Sequence, residues 1–303
     1  MSISIICPLY NGKKYIKNMN ESLLTQEIND IVDIKYILTE TNDGSKELLD
    51  EIGASYDIVK ADEFSHSYTR EKAAYEANGD IIVFITQDII IEDKTWLYNL
   101  IKDIKSGICD AAFSKQICTN KTIERYTRMK NYPDEDRIAC LDKVEELGIM
   151  SYFYSDAASA IRKEVFVKLK GYDNKDLLTN EDMYIAYKMV QNGYKIKYCS
   201  DSRVIHSHKY SYKSLFKRYF DQGVFLKQHS YIKESGANSG AIDLVKFVLV
   251  EALKEKNFKA VLDILPNFGV RFIANKLGNR YEKLSKEKVL KYTSNKNYWI
   301  RNK

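Results

Sequence analysis

The sequence predicts an α/β fold with a mostly parallel central sheet, flanked by helices and followed by a helical C-terminal appendage. Three observations predict it. Strand and helix signals alternate through the first hundred residues, the βαβα order of a parallel sheet. Residues 81–85 read Ile-Ile-Val-Phe-Ile without polar alternation, as a strand covered on both faces does. From residue 241 to about residue 292 the apolar spacing is helical throughout.

The elements follow in order. Residues 3–7 are a short β-branched run ending at Pro8, and residues 13–24 have helical spacing. Residues 35–41 read as a second strand, 44–52 as a helix, 56–60 as a short strand and 68–78 as a helix. The central strand spans 81–87, with a helix over 96–105 and a further strand over 110–115. Residues 121–142 are charged and aromatic, with Tyr126, Arg128, Lys130, Tyr132 and Arg137. That is long for a plain connection, so a functional arm or lid is expected. Residues 152–156 read as strand, 162–169 as helix, and 181–192 as a better helix closed by Gly193. Residues 194–199 and 203–205 read as two short strands, and 212–229 as a helix rich in aromatics and basic residues. The change of character after His208 places a boundary near residue 210, giving units 1–210 and 211–303.

Composition narrows the class. At 303 residues and 45% hydrophobic, the chain can bury a sizeable core, which excludes wholesale disorder. A net charge of +5 is too small to argue for nucleic acid. The last hundred residues are rich in lysine, including Lys254, Lys256, Lys259, Lys276, Lys283, Lys286, Lys288 and Lys291. That pattern fits a solvated helical face, or a surface that rests on anionic lipid. The five cysteines are widely spaced with no CxxC, as in a reduced cytoplasmic protein. No signal-peptide pattern opens the chain, and no apolar run reaches the roughly 18 residues of a spanning helix. A cytoplasmic protein, peripheral on the inner face of the membrane at most, is expected.

The residues for chemistry lie at element ends. Asp88 follows the central strand, at the edge where open α/β sheets bind ligands. Asp182 opens a helix beside Glu181, where the helix dipole favours an ionised carboxylate. Such a group can take a proton from a hydroxyl; helix-end charge matching is its ordinary explanation. His206 and His208 lie two residues apart. With Asp88 they form a set able to bind Mn²⁺ or Mg²⁺, which would stabilise a departing diphosphate.

The ordered set Cys7-Pro8-Leu9-Tyr10-Asn11, Gly79-Asp80, Thr86-Gln87-Asp88, Asn180-Glu181-Asp182 and Val204-Ile205-His206 resembles glycosyltransferase family 2, of the Rossmann-like GT-A fold. More narrowly, it is similar to the bacterial rhamnosyltransferase-like branch. Phe64-Ser-His-Ser-Tyr-Thr-Arg70 resembles that branch's FxHxxTR segment, and Thr86-Gln87-Asp88 with Trp96-Leu97 its TQDA…WL segment. His206-Ser-His-Lys-Tyr210 with Arg218-Tyr-Phe-Asp-Gln-Gly223 resembles HSHxY…RYFxxG. The likeness runs from about residue 2 to residue 228.

The resemblance implies a metal-dependent inverting hexosyltransferase of cell-envelope polysaccharide synthesis. Asp182 is then the general base, and Asp88, the last position of the family's DxD, binds the cation with His206, His208 being the fallback. Thr86 stands at the first DxD position, a departure that removes one carboxylate. Pro8, Tyr10, Asn11, Arg70 and Gln87 would face the nucleotide-diphosphate sugar, dTDP-rhamnose being one candidate. Glu40 or Asp43 would take the base or ribose, with Glu40 preferred because it lies nearer the strand end. Asp156 and Glu181 would lie near the acceptor, a glycan or lipid-linked glycan. Aromatics in 126–132 and 210–220 are sugar-stacking platforms or core. A sugar-nucleotide nucleotidyltransferase is disfavoured, because residues 9–14 lack a Gly-rich phosphate loop. A catalytically weak glycan-binding or scaffold protein is the other alternative, and Thr86 is the feature that favours it.

Overall fold

The computed structural model describes residues 1–234 and 240–302. The N-terminal half alternates as its sequence predicts: β1 (Ser2–Leu9), α1 (Lys13–Leu24), β2 (Ile31–Thr39), α2 (Ser45–Glu51), β3 (Ser55–Val59), α3 (His66–Glu76), β4 (Ile81–Ile85) and α4 (Trp96–Lys105). Then come β5 (Ala111–Ile117), α5 (Ile123–Asn131), β6 (Arg137–Ala139), α6 (Val144–Leu147), β7 (Ala158–Arg162), α7 (Lys163–Lys168), α8 (Glu181–Gln191) and β8 (Ile196–Ile205). The remainder is helical: α9 (Tyr212–Gln228), α10 (Ser230–Glu234), α11 (Gly240–Lys254), α12 (Phe258–Gly278), α13 (Lys286–Tyr292) and α14 (Lys296–Arg301).

All eight strands form one sheet, ordered β3-β2-β1-β4-β7-β5-β8-β6. β1 pairs in parallel with β2 and β4, as do β2 with β3 and β5 with β8. β7 runs antiparallel between β4 and β5, and β6 is an antiparallel edge. Every residue of β4 is buried, which explains its unbroken apolar run. Trp96 and Leu97 are fully buried, and the Trp96 indole N–H donates to Ser114 Oγ at 2.9 Å. That part of the resemblance is therefore packing.

The structure differs from the sequence reading in three places. The strand expected over 152–156 is instead a 3₁₀ turn, Gly148–Tyr152, and a loop. Phe153 and Tyr154 have strand propensity, but they pack from this loop edge-on against Phe113, each at 5.7 Å. The true strand is β7, whose Ala-Ser-Ala start carries little strand signal. Second, 194–199 and 203–205 belong to one strand, β8, interrupted by a bulge opposite Ser114 and Lys115. Third, the arm over 121–142 is packed rather than free. Ile123 and Tyr126 are buried against Val248, Ala252 and Ala260.

Two glycines let α12 lie directly on α9. A Cβ on Gly223 would stand 2.3 Å from Asn275 O, and one on Gly278 2.0 Å from Phe220 O. The final glycine of the RYFxxG resemblance thus serves helix contact. Further along α9, Phe225 joins Tyr198 and Tyr184 in the core beside the sheet.

Candidate active site

After β1 the chain builds β2 and β3 on one side, then returns to place β4 on the other. Ligands bind at such a switch point, beyond the carboxyl ends of the strands. Two loops meet there. Gln87 Nε2 donates to Tyr10 O, and Tyr10 N donates to Gln87 Oε1, both at 2.9 Å. Asn11 takes a positive φ of 49°, and its Oδ1 accepts from Thr41 at 2.5 Å.

A second connection builds a set of residues that could hold a metal ion. Ile90 and Ile205 form an isolated antiparallel bridge, with bonds of 2.8 and 2.9 Å. This pins the loop after β4 to the end of β8. Asp88, two residues before the bridge, therefore meets His206, one residue after it. His206 Nε2 lies 3.4 Å from Asp88 Oδ1, and His208 Nε2 lies 3.7 Å from Asp88 Oδ2. One ligand atom from each residue lies within 4.8 Å of the others, a spacing that fits a single divalent cation.

The imidazoles are prepared for this. Gln116 Nε2 donates to Ser155 Oγ at 2.7 Å, which turns Gln116 Oε1 toward the cleft. That oxygen accepts from Arg128 Nη1 and, at 2.8 Å, from His206 Nδ1. His206 Nε2 is left facing Asp88, either sharing a proton with it or offering a lone pair to a cation between them. His208 is pushed down to about 4 by burial and by the charge of His206, so it is neutral at pH 7. Burial opposes the Asp88 charge, but His206 and then His208 outweigh it and hold Asp88 well below the usual carboxylate range.

Across the cleft lies an acidic cluster with Arg70 as its direct ion-pair partner. Arg70 is 2% exposed, and its Nη1 lies 2.5 Å from Glu181 Oε1. Asp156, also buried, accepts from Ser159 at 2.9 Å and from Tyr172 at 2.8 Å. Asn180, left-handed at φ 59°, turns the chain into α8, and Asp182 Oδ1 accepts from Met183 N at 2.8 Å. Burial first, then the charges of Glu181 and Asp156, raise Asp182 to about 8. Burial raises Asp156 as well, whereas at Glu181 burial is outweighed by Arg70, which holds it low. Burial and these neighbouring carboxylates thus override the helix dipole, which by itself would favour the ionised form of Asp182.

The structure gathers Arg70, Asp88, Asp156, Glu181, Asp182, His206 and His208 around one cleft of about 440 Å³. Pro8, Tyr10, Asn11, Glu40 and Gln87 do not line it; they lie on the neighbouring β1, β2 and β4 ends. Gln87 is engaged at both amide ends with Tyr10, and Arg70 and Glu181 pair with each other. Asp43 accepts from Lys13 N and Ser45 N, which leaves the exposed Glu40 as the carboxylate open to a ligand. Sequence reasoning missed Gln116, and it noted Arg128 only as part of a charged segment. The parallel register of β5 and β8, which sets Gln116 beside Val204, was the signal that linked Gln116 to His206.

Residues 4–170 match the family model "Glycosyl transferase family 2", more than half of the chain. The chain belongs to glycosyl transferase family 2. Among curated proteins it is 30% identical to the O-antigen chain rhamnosyltransferase RfbN of Salmonella typhimurium, over 99% of this chain and 96% of that one. It is 29% identical to the O-antigen chain rhamnosyltransferase WbaN of Salmonella anatum, over 98% and 96%. Among solved structures, the mannosyltransferase PcManGT of Pyrobaculum calidifontis, in complex with GDP-Man and Mn²⁺, aligns with a TM-score of 0.62. It is 14% identical and covers 93% of this chain and 88% of that one. S. aureus TarS 1-349 aligns at 0.56 with 14% identity, over 100% and 92%. These neighbours share the GT-A fold. The protein is a rhamnosyltransferase-like glycosyltransferase, and the scaffold and nucleotidyltransferase alternatives are not favoured.

Proposed function

We propose that the protein is an inverting glycosyltransferase that moves rhamnose from dTDP-rhamnose to a hydroxyl of a lipid-linked, O-antigen-type glycan. Residues 1–210 form its catalytic unit, and residues 211–303 form a helical region that reaches the membrane. The observation that carries the reading is the pairing, in one cleft, of a cation-ligating trio with an aspartate whose proton affinity lies near working pH. General bases perform best with pKa values in that range.

Asp182 accepts the proton of the acceptor hydroxyl as that oxygen attacks the anomeric carbon. The bond from that carbon to the diphosphate oxygen breaks, and its electron pair leaves with the nucleotide. A single displacement inverts the anomeric centre. Asp88, His206 and His208 would hold Mn²⁺ or Mg²⁺, which when bound neutralises the leaving diphosphate. Two imidazoles in the set favour Mn²⁺. His208 would supply the third ligand that Thr86 cannot. Glu40 and the Tyr10–Asn11 turn are assigned to the base and ribose. Arg70 fixes Glu181, and through it the start of α8.

The test is a thermal-shift panel of nucleotide sugars with and without Mn²⁺, run on wild-type protein and on Asp182→Asn. A donor at 100 times its Kd adds about 2.7 kcal/mol. A Mn²⁺-dependent shift with dTDP-rhamnose in both proteins, with transfer only by the wild type, is expected. A shift with another donor alone would replace rhamnose, and transfer by the variant would remove Asp182 as base.

A further inference from the structure

A solvent-facing apolar stripe runs the length of α12. Phe258, Leu262, Leu265, Phe272 and Ile273 share one helical face and are 54–83% exposed. The opposite face carries the buried Ala260, Ala274 and Gly278. On α11, Ile242, Leu249, Val250 and Leu253 are exposed, opposite the buried Val248 and Ala252. Asn257, between the two helices, caps α12 through Ala260 N at 3.2 Å and donates to Lys121 O at 3.0 Å. The hairpin is thus fixed to the body with its large side chains outward. Contiguous exposed apolar surface of this kind marks an interaction site.

Charge selects the partner. Lys246, Lys254, Lys256, Lys259, Lys276 and Arg280 are exposed on or beside the same helices. The exposed acids there are Asp243, Glu255 and Glu282; Glu255 pairs with Arg125 at 2.9 Å, and Lys254 with Glu251 at 2.7 Å, which still leaves the basic residues in excess. A second copy would bring a like charge, whereas an anionic lipid surface complements it. No helix among the described residues is long and apolar enough to cross a membrane, so the fitting geometry is a helix lying in the interface plane. A cavity of about 560 Å³ opens beside Leu262, lined by Lys121, Lys209 and Lys259; Tyr210 and Glu124 line both it and the catalytic cleft.

We propose that the apolar face of α11 and α12 docks in the interface of an anionic phospholipid bilayer, with the lysine-lined cavity turned toward the lipid. The docking stands apart from the donor assignment; only the cavity's use by a lipid-linked acceptor rests on the reading above. The test is flotation of the full chain with acceptor-free vesicles of phosphatidylcholine, with or without phosphatidylglycerol. The wild type is expected to float with the phosphatidylglycerol vesicles. The triple variant Leu265→Glu/Phe272→Glu/Ile273→Glu is expected to bind about tenfold or more weakly, with an unchanged circular dichroism spectrum and unchanged transfer to a soluble acceptor. Lys254→Glu/Lys256→Glu is expected to lose the preference for anionic lipid. Absence of wild-type binding, or equal binding by the triple variant, overturns the docking and leaves the transferase reading standing. A wild-type dimer in solution that the triple variant dissociates, without vesicle binding, overturns it in favour of self-association.

Discussion

Replacing Asp182 by Asn is expected to stabilise the protein while sharply cutting its turnover. The folded protein holds a proton on Asp182 up to about pH 8, whereas the unfolded chain releases it near 3.8. A raised carboxyl contributes stability that is complete below the unfolded value and is lost as pH rises through the folded value. Between those limits stability falls by up to about 1.4 kcal/mol per pH unit, a total of roughly 4 kcal/mol by pH 7. Glu181 and Asp156 share that cost, so Asn should recover a part, about 2 kcal/mol at pH 7.5. Asn keeps the oxygen that accepts from Met183 N, so the helix start is preserved. For a chain of this size that is a rise of about 4 °C in Tm. Below the unfolded value the two melts should converge, because the aspartate is then neutral in both states. Melting curves from acid pH to pH 8.5, together with transfer assays, read both effects. Wild-type kcat/KM should rise toward pH 8, and the variant should lose roughly 10²–10⁴-fold in turnover with donor Kd nearly unchanged. Parallel pH–stability curves for the two proteins would refute the account of the acidic cluster. Undiminished turnover would refute the role of Asp182.

Three further outcomes are expected. Gln116→Leu removes the acceptor that orients His206 and should weaken Mn²⁺ binding about 10- to 100-fold, read by metal titration. Arg70→Met leaves Glu181 buried without its partner and should cost about 3–5 kcal/mol in urea unfolding, much of which Arg70→Met/Glu181→Leu should restore. Gly278→Ala forces a Cβ onto Phe220 O and should cost about 1–3 kcal/mol, seen as a lower urea midpoint with donor binding retained.

The parts of the site that were legible in the sequence are those set by local signals. Asp88 follows a strand whose apolar run is plain, His206 follows the short strand signal at 203–205, and Asp182 opens a helix with a clear start and stop. Their meeting depends on the Ile90–Ile205 bridge, which joins residues 115 positions apart and has no local mark. The same holds for Gln116 and His206, 90 residues apart. β7 was misplaced because a strand of small residues in the middle of a sheet needs little propensity of its own. Its neighbours β4 and β5 supply the pairing.

The C-terminal helices were half legible, and the missing half has a physical cause. A helical period shows that apolar residues share a face; it does not show whether protein or lipid covers that face. The sequence drew notice to the lysines, and its apolar spacing marked helices without saying what covers them. Yet α12 carries a sign that periodicity alone overlooks. Its small residues, Ala260, Ala274 and Gly278, are buried, while Phe258, Leu262, Leu265 and Phe272 point outward. A core-facing helix of a water-soluble domain places its large apolar residues inward, where their burial contributes most to stability. Small residues inside permit the close crossing with α9. Large residues outside contribute nothing to this fold until a further apolar phase covers them, and in the docking proposed above the lysines around them would select one with a negative surface.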